Sequence, residues 1–235
     1  MAGTRLPVEQ LVRHLLGGAT ADPLDDELTE WIRGSGRFRA FVETNRDKVR
    51  KKLRGATDAD SRRDVRTELR VAQLLLRERR VELAFEAYGS VNGGPDFTVT
   101  FRGQRPFNLE VTRLHRVPDA THGAPLLAKL RQLPPSMPNA VLIAFDGKPG
   151  ETFDVAATTQ ALRSRADAKD EAFFASRGFD GTRGFYRRYL RLGTVLVWRG
   201  GAHGDDRITS WSNRSARIAV PEQALRATLA CLRDG

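Results

Sequence analysis

A chain of 235 residues, 40% of them hydrophobic, can bury one large core, or a core with a small helical annex. Its single cysteine, Cys231, excludes an intrachain disulfide framework and a cysteine-rich zinc site, and no run of about 18 apolar residues offers a spanning helix. The net charge of +10 and pI near 10.5 favour polyanionic partners, nucleic acid ahead of anionic membrane, while a solvated arginine-rich surface gives the same numbers.

The first apolar stretch is short and broken by Arg13 and His14, which is not the pattern of a signal peptide, so the expected location is the cytoplasm. Val8, Leu11, Val12, Leu15 and Leu16 have helical spacing, and Gly17-Gly18 end that helix. A second short helix is expected over Asp25–Ile32. A third is expected over Phe38–Leu53, with Phe41, Val42, Val49 and Leu53 on one side and a basic face opposite. A longer helix, about Asp58–Arg79, carries the stripe Val65, Leu69, Ala72, Leu75 and Leu76 among many arginines.

The pattern then changes to strands. Val81–Tyr88, Asp96–Phe101 and Phe107–Leu114 read as a hairpin or meander with turns at 89–95 and around Gly103. A helix over about Ala124–Leu133 stops at Pro134-Pro135. Ala140–Phe145 and Gly193–Trp198 are continuous apolar runs, as in strands covered on both faces. The interval from Phe107 to Phe145 is long enough for a parallel crossover. Residues 154–176 and 182–190 are helical candidates, Ile208–Trp211 is a short edge strand, and Pro221 opens a last helix to about Leu232. The expected fold class is α/β, a mixed central sheet flanked by helices. The expected division is an N-terminal helical segment, 1–56, ahead of an α/β core, 57–235.

Asp96 opens one strand of the hairpin and Glu110 lies inside the next, so the two carboxylates can meet on one face. Two adjacent carboxylates repel unless a cation stands between them. A hard ion such as Mg²⁺ or Mn²⁺ takes oxygen ligands of this kind, activates water and stabilises charge on a phosphate. Glu110 sits among Phe107, Leu109, Val111 and Leu114, and an acidic residue in an interior strand needs a reason. By contrast, Asp96 after Gly-Gly-Pro also suits a plain turn, and Glu68 suits a surface helix paired with arginine.

These elements resemble the PD-(D/E)XK nuclease superfamily. The order runs from a helix bearing Glu68, through Pro95-Asp96, to Glu110-Val111-Thr112, then a helix and a buried strand ending at Phe145. The resemblance implies a restriction-endonuclease-like core. It implies Mg²⁺ (or Mn²⁺) held by Asp96, Glu110 and the Val111 carbonyl, with Glu68 at a second metal or a metal-bound water. Thr112 departs from the pattern, since it stands where the family carries lysine and brings no charge. Arg113 is adjacent but alternates to the other face. Lys129 on the following helix, with Gln132 three residues on, is the candidate replacement.

The implied activity is metal-dependent hydrolysis of phosphodiesters, in DNA ahead of RNA. Arg50, Lys51, Lys52, Arg62, Arg66, Arg70 and Arg113 are the candidate phosphate contacts. The alternatives are a nuclease-like nucleic-acid-binding module without catalysis, and an interaction protein with an acidic partner in a defence or mobile-element system. The N-terminal segment is a candidate homodimerisation element, DNA clamp or lid. Other chemistries lack their signatures. His14, His115, His122 and His203 have no metal-ligand spacing, and neither a P-loop nor a nucleophile elbow is present.

Overall fold

The computed structural model describes residues 6–18, 22–89, 94–115, 123–145, 153–199 and 207–233. The chain divides into two compact units, Met1–Arg79 and Arg80–Gly235. The long arginine-rich helix, expected from sequence to open the α/β core, therefore belongs to the first unit. No helix among the described residues is long and apolar enough to cross a membrane.

The first unit holds α1 (Val8–Leu15), α2 (Leu24–Gly34), α3 (Gly36–Thr44), α4 (Arg46–Gly55) and α5 (Ala59–Leu75). Their apolar stripes bury Leu11, Leu15, Leu28, Ile32, Phe38, Val42, Val49, Leu53 and Leu69. The single helix expected over Phe38–Leu53 is two helices. At Asn45 the backbone leaves the helical region, and the side-chain amide donates to the Phe41 carbonyl at 2.8 Å, competing with the helical ladder. Asp58 starts α5 with a capping box: its carboxylate accepts from the Asp60 and Ser61 amides, and Ser61 returns a bond to the Asp58 amide. Arg37 closes the other end by donating to the Leu76 and Glu78 carbonyls.

The second unit is built on one six-stranded mixed sheet, in the order β1 (Val81–Phe85), β2 (Phe97–Phe101), β3 (Phe107–Leu114), β4 (Asn139–Phe145), β5 (Leu192–Arg199), β6 (Arg207–Ser212). The pairs β1–β2, β2–β3 and β5–β6 are antiparallel, while β3–β4 and β4–β5 are parallel. The expected crossover is therefore present, and it carries α6 (Ala124–Leu130). Every residue of β4 is buried, as a central parallel strand requires.

α7 (Val155–Asp167), α8 (Glu171–Ala175) and α9 (Gly181–Tyr189) connect β4 to β5. The long helix expected over 154–176 breaks at Lys169, which has φ 55°, and Asp170 caps the next helix by accepting from the Phe173 amide. With α6 these helices cover one sheet face, burying Leu126, Leu130, Leu162, Phe174 and Phe185 against Val141, Ile143, Val195 and Val197. α10 (Glu222–Arg233) packs against β2 and β6.

Candidate functional site

Glu110 lies mid-β3, paired in register with Val141 of β4, and Thr112 is paired with Ile143. Residues paired across neighbouring strands point to the same face. Val141 and Ile143 belong to the helix-covered core, so Glu110 and Thr112 face α6 as well. The Glu110 side chain is only 4% exposed. A carboxylate there needs a charged donor, since water is excluded. α6 supplies it: Lys129 Nζ donates to Glu110 Oε1 at 2.5 Å. The lysine side chain is 21% exposed, its stem running along apolar surface toward an almost fully buried acceptor.

Asp96 stands one residue ahead of β2. The last paired residues are Phe97 and Leu109, so the next step of the ladder would set Asp96 opposite Glu110. Asp96 is buried, and its Oδ2 accepts from the Val111 amide at 2.9 Å. Its own carbonyl accepts from the Glu86 amide at 2.8 Å. Within this site Val111 supplies its N–H to Asp96. Arg113 points to the face opposite Glu110 and is buried, leaving little of its guanidinium for a polyanion.

Gln132 is not on a helix beside Lys129. α6 stops at Leu130, and Gln132 is exposed in the following turn, its amide donating to the Lys129 carbonyl at 2.9 Å. Glu68 belongs to the first unit, where it forms an ion pair with Lys52. That pairing accounts for Glu68 with a lysine in place of the expected arginine, and it engages one of the candidate phosphate contacts.

Several other expected contacts are committed inside the first unit too. Arg62 pairs with Asp22 and donates to the Leu53 carbonyl. Arg66 makes a two-pronged pair with Glu27. Arg70 donates to Gln73 at 3.1 Å and lies 5.5 Å over the Trp31 ring. Arg50 and Lys51 instead line an open hollow of about 440 Å³ with Asp47, Arg54 and Gly55. Arg50 Nε is buried there without a hydrogen-bond partner among the described residues.

Sequence reading missed a polar ladder beneath the site. Thr98 donates to Asn108 at 3.2 Å, Asn108 donates to Asn139 at 2.9 Å, and the Asn139 amide meets the carbonyls of Pro134, Met137 and Arg191. The signal was present: each asparagine sits near the start of an apolar strand, where a polar side chain is costly unless it is bonded.

Among the described residues no group of three or more His, Cys, Asp or Glu side chains could hold a metal ion by itself. The donor set at the hairpin is two hard carboxylates. Hard oxygen donors of this kind are the ones Mg²⁺ takes. No family model matches the chain, and neither a curated protein nor a solved structure matches it.

Proposed function

We propose that the second unit hydrolyses phosphodiester bonds in nucleic acid, DNA ahead of RNA, as a variant of the PD-(D/E)XK nuclease-like fold. The observation that carries this reading is the ion pair between Lys129 and Glu110. It brings an ammonium to the strand face that Thr112 shares with Glu110, although position 112 carries no charge. Asp96 and Glu110 would hold Mg²⁺ or Mn²⁺, which when bound lowers the pKa of a coordinated water and draws charge from a phosphate. Asp96 is oriented by the Val111 amide, which fixes its carboxylate against the strand. Lys129 holds a positive charge beside Glu110 and would stabilise an anionic phosphate brought to the same face. Burial of Glu110 strengthens its attraction to Lys129, and metal, water and phosphate would have to enter from the partly exposed Lys129 side of the pair.

A second reading, nucleic-acid binding without hydrolysis, draws on the same atoms. Glu110 is already neutralised by Lys129, Asp96 is engaged by a backbone amide, and the motif position is Thr112. Supercoiled plasmid and single-stranded DNA incubated with Mg²⁺ or Mn²⁺ separate the two readings. Nicking by the unaltered protein that disappears with EDTA and in Glu110→Gln supports the hydrolase. Intact DNA under every metal, with salt-sensitive binding preserved, favours the binding module.

A further inference from the structure

β4 and β5 run parallel, so the chain enters both strands at the same end of the sheet. α9 delivers the chain to β5 there, and the segment after β6 returns to that end because β6 runs antiparallel to β5. Asn213 fastens the return: its amide donates to the carbonyls of Tyr189 at 3.1 Å and Leu192 at 2.9 Å. The Arg217 amide then donates to the Leu190 carbonyl at 2.8 Å.

These bonds gather Arg187, Arg188, Arg191 and Arg217 at one edge. Arg188 and Arg191 reach across to the turn after α6, donating to the carbonyls of Arg131 and, at 3.0 Å, Leu133. Terminating α6 accounts for those two side chains. It does not account for Arg187 and Arg217, which are exposed. Asp180, itself 90% exposed, pairs with Arg187 at 3.1 Å. Among the described residues no carboxylate pairs with Arg188, Arg191 or Arg217. Arg191 is the centre of the group: burial, and then the charges of Arg188, Arg217 and Arg187, hold its pKa below the ordinary guanidinium range. Its Nε is buried without a hydrogen-bond partner among the described residues. Like charges gathered in this way disfavour the folded state until an anion offsets them.

We propose that Arg187, Arg188, Arg191 and Arg217 form a phosphate-binding surface whose occupant is the sugar–phosphate backbone of nucleic acid. All four are guanidiniums, whose forked donors match phosphate oxygens two at a time. Arginine also anchors protein–protein interfaces, so an acidic protein segment is the rival occupant that the test must exclude. The backbone that carries Arg191 lies near the candidate site. Asn139, which bonds the Arg191 carbonyl, precedes Val141, the register partner of Glu110, by two residues, a rise of about 7 Å. The choice of nucleic acid rests on the functional reading above, but the surface does not depend on hydrolysis.

The test is fluorescence anisotropy of the full chain with a labelled duplex of about 20 base pairs over a salt series. The double charge reversal Arg187→Glu/Arg217→Glu is expected to weaken binding at least about tenfold at low salt and to flatten the log–log salt slope by about two. Arg187→Lys/Arg217→Lys is expected to keep most of the affinity. Should the double reversal fail to fold, Arg217→Ala alone is expected to flatten the slope by about one. Unaltered affinity and slope in a folded variant would overturn the proposal. So would loss of binding to a poly-glutamate peptide with DNA binding intact, which would mark an acidic protein as the occupant. The nicking assay of the unaltered protein separates the two ideas. If the protein never nicks DNA but the arginine variants bind it weakly, only the hydrolase reading falls.

Discussion

The Asp96 carboxylate accepts the Val111 amide hydrogen at 2.9 Å, so a side chain continues the hydrogen bonding of β3 just beyond the last paired residues of the β2–β3 ladder. The same carboxylate is proposed to bind metal, and two substitutions separate these roles. Asp96→Ala leaves a buried N–H without this acceptor, at a cost of about 1–3 kcal/mol. Asp96→Asn retains an acceptor oxygen and should lose less than half of that, yet it removes the negative charge. Thermal melts are expected to rank the proteins wild type, Asn, Ala, while nicking disappears in both variants. Equal destabilisation by Asn and Ala would show that the Val111 bond is not what Asp96 contributes.

Lys129 and Glu110 form a pair in which both side chains are largely buried. Removing one partner strands a charge that water cannot reach, which typically costs about 3–5 kcal/mol, whereas replacing both with uncharged groups costs far less. Lys129→Met is therefore expected to destabilise strongly, and Glu110→Gln/Lys129→Met to recover most of the loss. Denaturant unfolding of the four proteins in the cycle measures the coupling. A purely additive cycle would mean that the contact does not hold α6 to the sheet.

Much of this arrangement is legible in the sequence, for physical reasons. Phe107–Leu114, Ala140–Phe145 and Gly193–Trp198 lie in β3, β4 and β5, since buried strands leave unbroken apolar runs between turn residues. Lys129 was legible only through the order of elements, because a lone lysine on a helix carries no signal. The breaks at Asn45 and Lys169 were not legible, since each interrupts a run that keeps helical periodicity on both sides. The early end of α6 was hidden for another reason. The carbonyls beyond it are held by Arg188 and Arg191, more than 50 residues downstream, and no local pattern records a cap supplied from so far away.

Asn139 ties the start of β4 to three carbonyls, one of which belongs to Arg191 just ahead of β5. Its side-chain oxygen also accepts from Asn108 of β3. Asn139→Ala removes every one of these bonds in a fully buried position and is expected to cost about 3 kcal/mol. Asn139→Asp should be worse, because a carboxylate cannot donate and would face carbonyl oxygens. Equilibrium urea unfolding tests the order. If Asp were tolerated better than Ala, the donor role assigned to Asn139 would be wrong.

Glu171 caps α9 from a neighbouring helix, accepting from the Thr182 hydroxyl at 2.7 Å and its amide at 2.8 Å. The Thr182 side chain and then its backbone amide hold the carboxyl below the usual carboxylate pKa. A carboxyl whose folded pKa is depressed adds stability above its unfolded pKa and loses it as pH falls through the folded one. Asp58 behaves in the same way, lowered chiefly by the Ser61 amide and hydroxyl in the α5 capping box. Glu171→Gln should therefore lower the melting temperature at pH 7, and the gap to wild type should close as the buffer is taken below about pH 4. Melting curves at pH 7, 5 and 3 read this directly. A gap of constant size would assign the cap to hydrogen-bond geometry alone, with no contribution from charge.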